Sequence, residues 1–484
     1  MQRVATAMLI ALTLFGCMVG PNYKRPSVDT PQAWRFENKE AKDVANTTWW
    51  EQFNDPVLTK LISTALSNNK DLKIAAFRVE EFMGRYAVAR SSLFPQVTGN
   101  ASVQRERTSA LGQVPLPAGT PNPFNQYQVA LSASWEIDLW GKLRRGTEAA
   151  IASVLSNEEG RRGVILTLVT SVASAYVNLI DLDHQLEIAR NTAKTREESY
   201  RIFQVRFRAG YVSELELSQA RSDYEQVSAT IPPVEKAIAQ QEDALSILLG
   251  RNPGPIERGK TLNALGMPSV PAGLPSDILA QRPDICQAEQ NLIAANAQIG
   301  AARAQYFPDI TLTGMFAGES TKLSSLFAGP ARAWNWVAPM TAPIFTGGRI
   351  AGQVQTAEAI REETLLQYQQ TIQNAFRDVE DALVDQDRTR EQLAAQARQV
   401  EALRTYARVA RLRYDNGYTS YITVLDAERN LFNAELSHAQ TQGALFQAMI
   451  NLYKAMGGGW VVLADKLESG RQDTSLSPAS TLGK

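Results

Sequence analysis

Residues 254–261 read Gly-Pro-Ile-Glu-Arg-Gly-Lys-Thr, which satisfies the pattern of a phosphate-cradling loop. That chemistry requires a strand before the loop and a helix N-terminus after it. Here a helical pattern ends near Gly250, and Pro268 and Pro271 follow soon after the loop. A nucleotide hydrolase therefore stands only as a rival reading, one that requires hydrolysis abolished by Lys260→Ala. The two histidines, His184 and His438, sit in helical patterns rich in Gln, Leu and Ala. Zinc normally takes more Cys and His ligands than this chain can gather, and two histidines support no Ser-His-Asp arrangement. No catalytic residue, metal ligand or cofactor site is expected.

The cysteines divide by context. Cys286 lies in a helix-like stretch and reads as a small buried apolar residue. Cys17 follows Arg3, an apolar run from Val4 to Phe15, and Gly16. The run is too short to span a bilayer and reads as a signal peptide over residues 1–16. Leu14-Phe15-Gly16-Cys17 has the form of a bacterial lipobox, with Phe15 bulkier than the residue usual there. Cys17 is therefore the expected lipid-attachment residue, bearing palmitate. Residue 18 is Met rather than Asp, which fits sorting to the outer membrane. With Cys17 lipidated, one cysteine remains and no disulfide can form within the chain. The 49 basic and 50 acidic residues give a net charge of −1, and nothing points to nucleic acid. Beyond the leader no run of 18 consecutive apolar residues occurs, so no transmembrane helix is expected; barrel strands carry a weaker signal.

The elements that organise these residues recur. Phe94-Pro95 and Phe307-Pro308 lie 308 − 95 = 213 residues apart, as do Asp71 and Asp284. Downstream, Gly210-Tyr211 and Gly417-Tyr418 are offset by 417 − 210 = 207. Each half reads as helix, short insert, very long helix, tight turn and helix. The inserts, about 95–139 and 308–345, switch from period 3.6 to period 2. Tyr127, Val129, Leu131, Ala133, Trp135 and Ile137 share one face, opposite Gln128, Ser132, Ser134, Glu136 and Asp138. Ile310, Leu312, Gly314 and Phe316 repeat the pattern, and Trp334, Trp336, Ala338, Met340 and Ile344 form a last apolar face. One such hairpin is compatible with half a soluble sandwich. Four runs of about 10 residues with aromatic ends fit tilted membrane strands. Pro95 and Pro308 are the expected helix-to-strand switches, because proline cannot continue a helix and extends the residue before it.

The stretches 141–209 and 348–416 contain no proline and would each span roughly 100 Å as helices. A seven-residue register links Ile165, Val172, Leu179, Leu186, Ala193, Tyr200 and Phe207 in the first. Leu168, Ala175, Leu182, Ala189 and Phe203 fill the companion position, with Arg196 the one break. The second copy holds Ile372, Val379, Leu393, Val400 and Tyr414, interrupted by Gln386. Single helices are expected over 213–249 and 420–456. Four strands cannot close a barrel, and open edges are not tolerated in lipid. Eight strands from a dimer would enclose a filled interior, whereas twelve from a trimer would leave a lumen.

Together these residues resemble the TolC-like outer-membrane efflux channels, in the OprM- or NodT-type lipoprotein branch. The likeness covers about residues 17–460. It is carried by Val19-Gly20-Pro21-Asn22-Tyr23-Lys24-Arg25-Pro26, by Trp49-Trp50-Glu51-Gln52-Phe53-Asn54-Asp55-Pro56, and by Asn451-Leu452-Tyr453-Lys454-Ala455-Met456-Gly457-Gly458-Gly459-Trp460. The resemblance implies a mainly α protein with a membrane β-barrel portion. It is expected as a homotrimer with a 12-stranded barrel above a periplasmic α-helical tunnel. Residues 17–56 would form an anchored, equatorial segment, 57–250 the first repeat, 251–275 an equatorial linker, 276–457 the second repeat, and 458–484 a tail partly equatorial and partly disordered. The implied partners are a periplasmic adaptor (membrane fusion) protein and an inner-membrane pump of the resistance-nodulation-division class. Arg206, Gly210, Tyr211, Arg413, Gly417 and Tyr418 would form the tips that meet the adaptor. Tyr421–Arg429 matches the segment that constricts the periplasmic mouth, with Ile422, Asp426 and Arg429 near one helix face. In it, Arg429 would offset the repulsion among Asp426 carboxylates. The function implied is a passive export duct without an active site. A lipid-anchored coiled-coil tether without a pore is the alternative from another class.

Overall fold

The computed structural model describes residues 18–28, 30, 31, 34, 48–109, 119, 121–267, 278–457, 460 and 461. The signal peptide and Cys17 lie outside them, as does most of the tail. The helices are α1 (Pro56–Asn68), α2 (Lys70–Ser91), α3 (Lys142–Arg208), α4 (Glu214–Ser228), α5 (Ile231–Leu248), α6 (Ile278–Gln281), α7 (Pro283–Ala304), α8 (Arg349–Asp415) and α9 (Tyr421–Met456). The strands are β1 (Gln96–Glu106), β2 (Phe124–Ile137), β3 (Asp309–Ser320), β4 (Arg332–Val337) and β5 (Met340–Thr341). Both halves thus carry a 22-residue helix, a hairpin and a 67-residue helix.

The chain divides into two compact units. The first comprises Met1–Ser27, Arg78–Asn157 and Gln287–Tyr368. Its sheet runs β1-β2-β3-β4, all antiparallel, with β5 also on β3. The register aligns the apolar alternation across every strand. Val97, Ala133, Gly314 and Trp336 form one row, and Gly99, Leu131, Phe316 and Trp334 the next. The opposite face sets Thr98 beside Ser132 and Gln128 beside Glu319. Leu131, Phe316, Trp334 and Trp336 are all more than half exposed. The last strand is interrupted rather than continuous to Ile344, because Pro339 has no N–H to give the ladder. Its carbonyl still accepts from Thr311 N at 3.2 Å.

Pro95 lies between the end of α2 and the start of β1, and Pro308 between α7 and β3. Tryptophans brace both corners. Trp135 Nε1 donates to Leu93 O at 3.0 Å, and Trp140 Nε1 to Pro308 O at 2.8 Å while its ring stacks on Phe307. The segment after Cys17 is pinned in the same unit. Val19 N donates to Trp140 O, Asn296 Nδ2 to Pro21 O, and buried Arg145 Nη2 to Asn22 Oδ1.

The second unit comprises Val28–Phe77, Glu158–Cys286 and Gln369–Lys484. Along α3, Ile165, Leu168, Val172, Leu179, Ala189, Ala193 and Phe203 are buried. So are Val169, Ala173, Tyr176, Val177 and Ile180, outside the seven-residue register, while Phe207 is 40% exposed. An α-helix drifts about 20° per heptad from a strict repeat, so the buried stripe wanders off the register within a few turns. An apolar stretch within α3 is long enough for a bilayer, but 56% of it is buried inside the protein, as befits a packing helix. The single helix expected over 213–249 is two, α4 and α5. The chain restarts at Ile231, whose following Pro232 suits a first helical turn and cannot sit in a helix interior. Cys286, expected buried, is half-buried on α7 with Sγ 3.7 Å from Ala280 O. The Trp-Trp and closing motifs meet: Trp49 stacks on Tyr453 at 4.8 Å and lies edge-on to Trp460 at 6.0 Å.

Candidate functional site

At the end of α3 the chain closes a turn on Gly210, φ +78°, and at the end of α8 on Gly417, φ +76°. Gly210 N donates to Phe207 O and Tyr211 N to Arg206 O. Gly417 N donates to Tyr414 O and Tyr418 N to Arg413 O. These are the paired 5→2 and 6→1 bonds of a left-handed helix stop, for which glycine suffers no Cβ penalty. Tyr211 and Tyr418 project from the two turns at 83% and 82% exposure. Arg206 and Arg413 are exposed beside them. Beneath the turns Phe203, Tyr414 and Tyr421 pack ring on ring, with 4.3 Å between the Phe203 and Tyr421 centroids. A capping box starts α4: Glu216 N donates to Ser213 Oγ, and Ser213 N to Glu216 Oε2.

Ile422 and Asp426 are exposed on the first turns of α9, Ile422 at 51%. Leu215, its counterpart at 422 − 207 = 215, is 67% exposed. Arg429 does not pair with Asp426. Its Nε donates to Asp223 Oδ1 at 2.9 Å, whereas Asp426 Oδ2 takes only long bonds from Tyr406 (3.5 Å) and Asn430 (3.3 Å). Asp223 is 1% exposed, and the lower dielectric around it makes it the stronger anion partner.

Asp223 belongs to a buried ionic network that the sequence reading missed. Arg196, 6% exposed, places Nε 2.8 Å from Asp223 Oδ2, an ion pair without hydrogen-bond alignment. Arg196 Nη1 also bonds to Glu428 Oε2. The network therefore ties α3, α4 and α9 together. Burial pushes the Glu428 carboxyl up, and Arg196 opposes that shift. The signal was present in part: Arg196 breaks the α3 register, and Asp223 sits three after Ala220 and four before Val227, both buried. Opposite charges at core spacing on neighbouring helices mark a buried pair.

The phosphate-loop pattern at 254–261 is spent on internal contacts. Lys260 N donates to Asp55 Oδ2 and Gly259 N to Tyr176 Oη, which itself donates to Asp55 Oδ2 at 2.8 Å. A three-residue 3₁₀ turn, Leu262–Ala264, follows in place of a helix N-terminus. Of the amides that would cradle phosphate, Lys260 N holds a carboxylate and Gly259 N a tyrosine hydroxyl of the same chain. No group of three or more His, Cys, Asp or Glu suited to a metal ion occurs among the described residues.

Comparison with known proteins accords with this geometry. The sequence profile of the outer membrane efflux protein family matches residues 61–251 and 274–458. The two stretches begin 274 − 61 = 213 residues apart and end 458 − 251 = 207 apart. The chain is 37% identical to the toluene efflux pump outer membrane protein TtgC of Pseudomonas putida over 468 residues, 95% of this chain and 96% of TtgC. It is 37% identical to the probable outer membrane lipoprotein SilC of Salmonella typhimurium, over 93% of this chain and 97% of SilC. The crystal structure of the Campylobacter jejuni CmeC outer membrane channel superposes with a TM-score of 0.88 at 28% identity, covering 94% of this chain and 98% of that one. A sheet apolar on one face, two 67-residue helices and both sequence halves lead to one conclusion: the chain belongs to the outer membrane efflux protein family.

Proposed function

We propose that three copies of the chain close a 12-stranded barrel and serve as the passive outer-membrane duct of a tripartite efflux system. One observation carries this reading. The sheet ends in two unpaired edges, β1 and β4, while its apolar face stands exposed. In lipid each free backbone N–H and C=O costs several kcal/mol, so the edges must pair with other copies. Eight strands would leave an interior just filled by side chains, and twelve leave a lumen lined by Thr98, Ser132 and Gln128. The test joins mass and conductance. Detergent-purified protein of trimeric mass should give unitary conductance in planar bilayers. A coiled-coil tether would give none.

Tyr211, Tyr418, Arg206 and Arg413 at the turns suit docking by a periplasmic adaptor, with an inner-membrane pump of the resistance-nodulation-division class supplying energy. Three Asp426 would form an anionic ring and three Ile422 an apolar constriction. Arg429 acts on that ring through Asp223, by holding the start of α9 against α4. Cys17 would carry the lipid, a reading supported by the lipobox-like leader and by the likeness to SilC. Cys17→Ser should then abolish incorporation of labelled palmitate, and full retention of label would remove the anchor. The toluene in the name of TtgC belongs to that protein; here the cargo follows the pump.

A further inference from the structure

The apolar face of the sheet is not smooth. Ala133 and Gly314 stand side by side in the row from Val97 to Trp336. The larger Trp135 and Leu312 flank them on one side, and Leu131 and Phe316 on the other. The small pair leaves a groove of about 480 Å³, lined by Pro95, Ala133, Trp135, Leu312, Gly314 and Trp336. It offers almost no polar atoms. The Trp135 indole N–H is already given to Leu93 O, so the ring presents only carbon. The shape suits a hydrocarbon chain.

The groove lies at the end of the strands where the helices begin. Trp135 is two residues before the end of β2, and Leu312 three after the start of β3. The chain just after Cys17 reaches the same end. Met18 packs so closely on the corner between β2 and α3 that a Cβ added to Gly141 would lie 3.1 Å from Met18 Cα. Val19 N donates to Trp140 O at 3.0 Å, and Trp140 holds Pro308 at the corner before β3. Cys17 is one peptide unit from Met18. Trp135 is six residues from Gly141, at most about 20 Å along an extended backbone. A long acyl chain attached at Cys17 spans that distance.

We propose that this groove seats an acyl chain carried by Cys17, so that the anchor is bound along the barrel wall instead of lying free in the bilayer. The proposal rests on the lipidated Cys17 argued above. Between apolar surfaces in a membrane, association comes from close packing at small residues, which Ala133 and Gly314 provide.

The test uses the full-length protein in bacteria fed a diazirine-bearing palmitate analogue. Membranes are irradiated, the protein is purified, and covalent links are mapped by mass spectrometry. Links from the Cys17 peptide to the segments 133–135 and 312–314 are expected. Gly314→Leu and, separately, Ala133→Leu fill the groove and should lose these links while incorporating as much label at Cys17. Normal labelling with links spread elsewhere overturns the groove and leaves lipidation standing. Phospholipid adducts at 133–135 and 312–314 that persist unchanged in Cys17→Ala overturn it in favour of free lipid. Absence of covalent label at Cys17 in the wild type removes both readings.

Discussion

Asp223 and Asp426 are both aspartates near the helix turns, yet their surroundings separate them. Asp223 is buried between Arg196 and Arg429, so removing its carboxylate leaves buried Arg196 with Glu428 alone and takes from Arg429 its buried partner. Asp223→Ala should destabilise the protein by about 3–5 kcal/mol in thermal unfolding. Asp426→Ala, at an exposed position, should change stability by no more than about 0.5 kcal/mol. Equal losses would show that the network does not hold the helices. Asp181 on α3 is a buried acid of another kind. Burial pushes its carboxyl up to about 6, against a bond from Gln185 that lowers it, and its Oδ1 has no hydrogen-bond partner among the described residues. The folded chain binds that proton more readily than the unfolded one. The cost is absent below about pH 4, grows to pH 6 and is complete above it. Asp181→Asn should therefore stabilise the protein by up to about 3 kcal/mol at pH 8 and by nothing at pH 4. A gain independent of pH, in melting curves recorded at both, would contradict this.

The long helices show how far a periodic pattern can be trusted. The seven-residue register locates the buried stripe near Ile165 and loses it by Phe207, because 3.6 residues per turn do not keep step with seven. The turns are fixed more tightly. A side chain built on Gly210 or Gly417 meets nothing within 4 Å, so substitution there acts through the positive φ and the new charge, not through a clash. Gly210→Asp combined with Gly417→Asp should cost roughly 1–2 kcal/mol per site and leave the trimer in the membrane. Export should fall, and adaptor cross-linking with it. Undiminished export with normal cross-linking would remove the docking role from these turns.

At the scale of the whole molecule, the open sheet and the exposed apolar residues after both turns need copies of the chain to make sense. Leu215 and Ile422 are exposed in the single protomer, and Asp426 lies one turn beyond Ile422. Around the proposed threefold axis three Asp426 carboxylates would favour cations. Asp426→Ala should reduce cation over anion selectivity in bilayer reversal potentials without lowering trimer yield. An unchanged reversal potential would place the ring elsewhere.

The alternation of Val97, Leu131, Phe316 and Trp334, the proline corners and the glycine turns were legible in the sequence. Each is set by local backbone geometry or by the two-residue period of a strand, which neighbouring residues alone express. The partner of Arg429 was not legible. Asp426 lies three residues away in sequence, but Asp223, 206 positions distant, is the carboxylate that tertiary packing takes out of water. The same holds for Asp55, which takes the Lys260 amide of a phosphate-like loop. Pro232, where one expected helix becomes two, was by contrast a local signal already present in the sequence. Sequence determined which residues are apolar, small or charged and how often they recur. Packing alone decided which charges lost their water and which helix face was buried, because burial depends on residues distant in the chain.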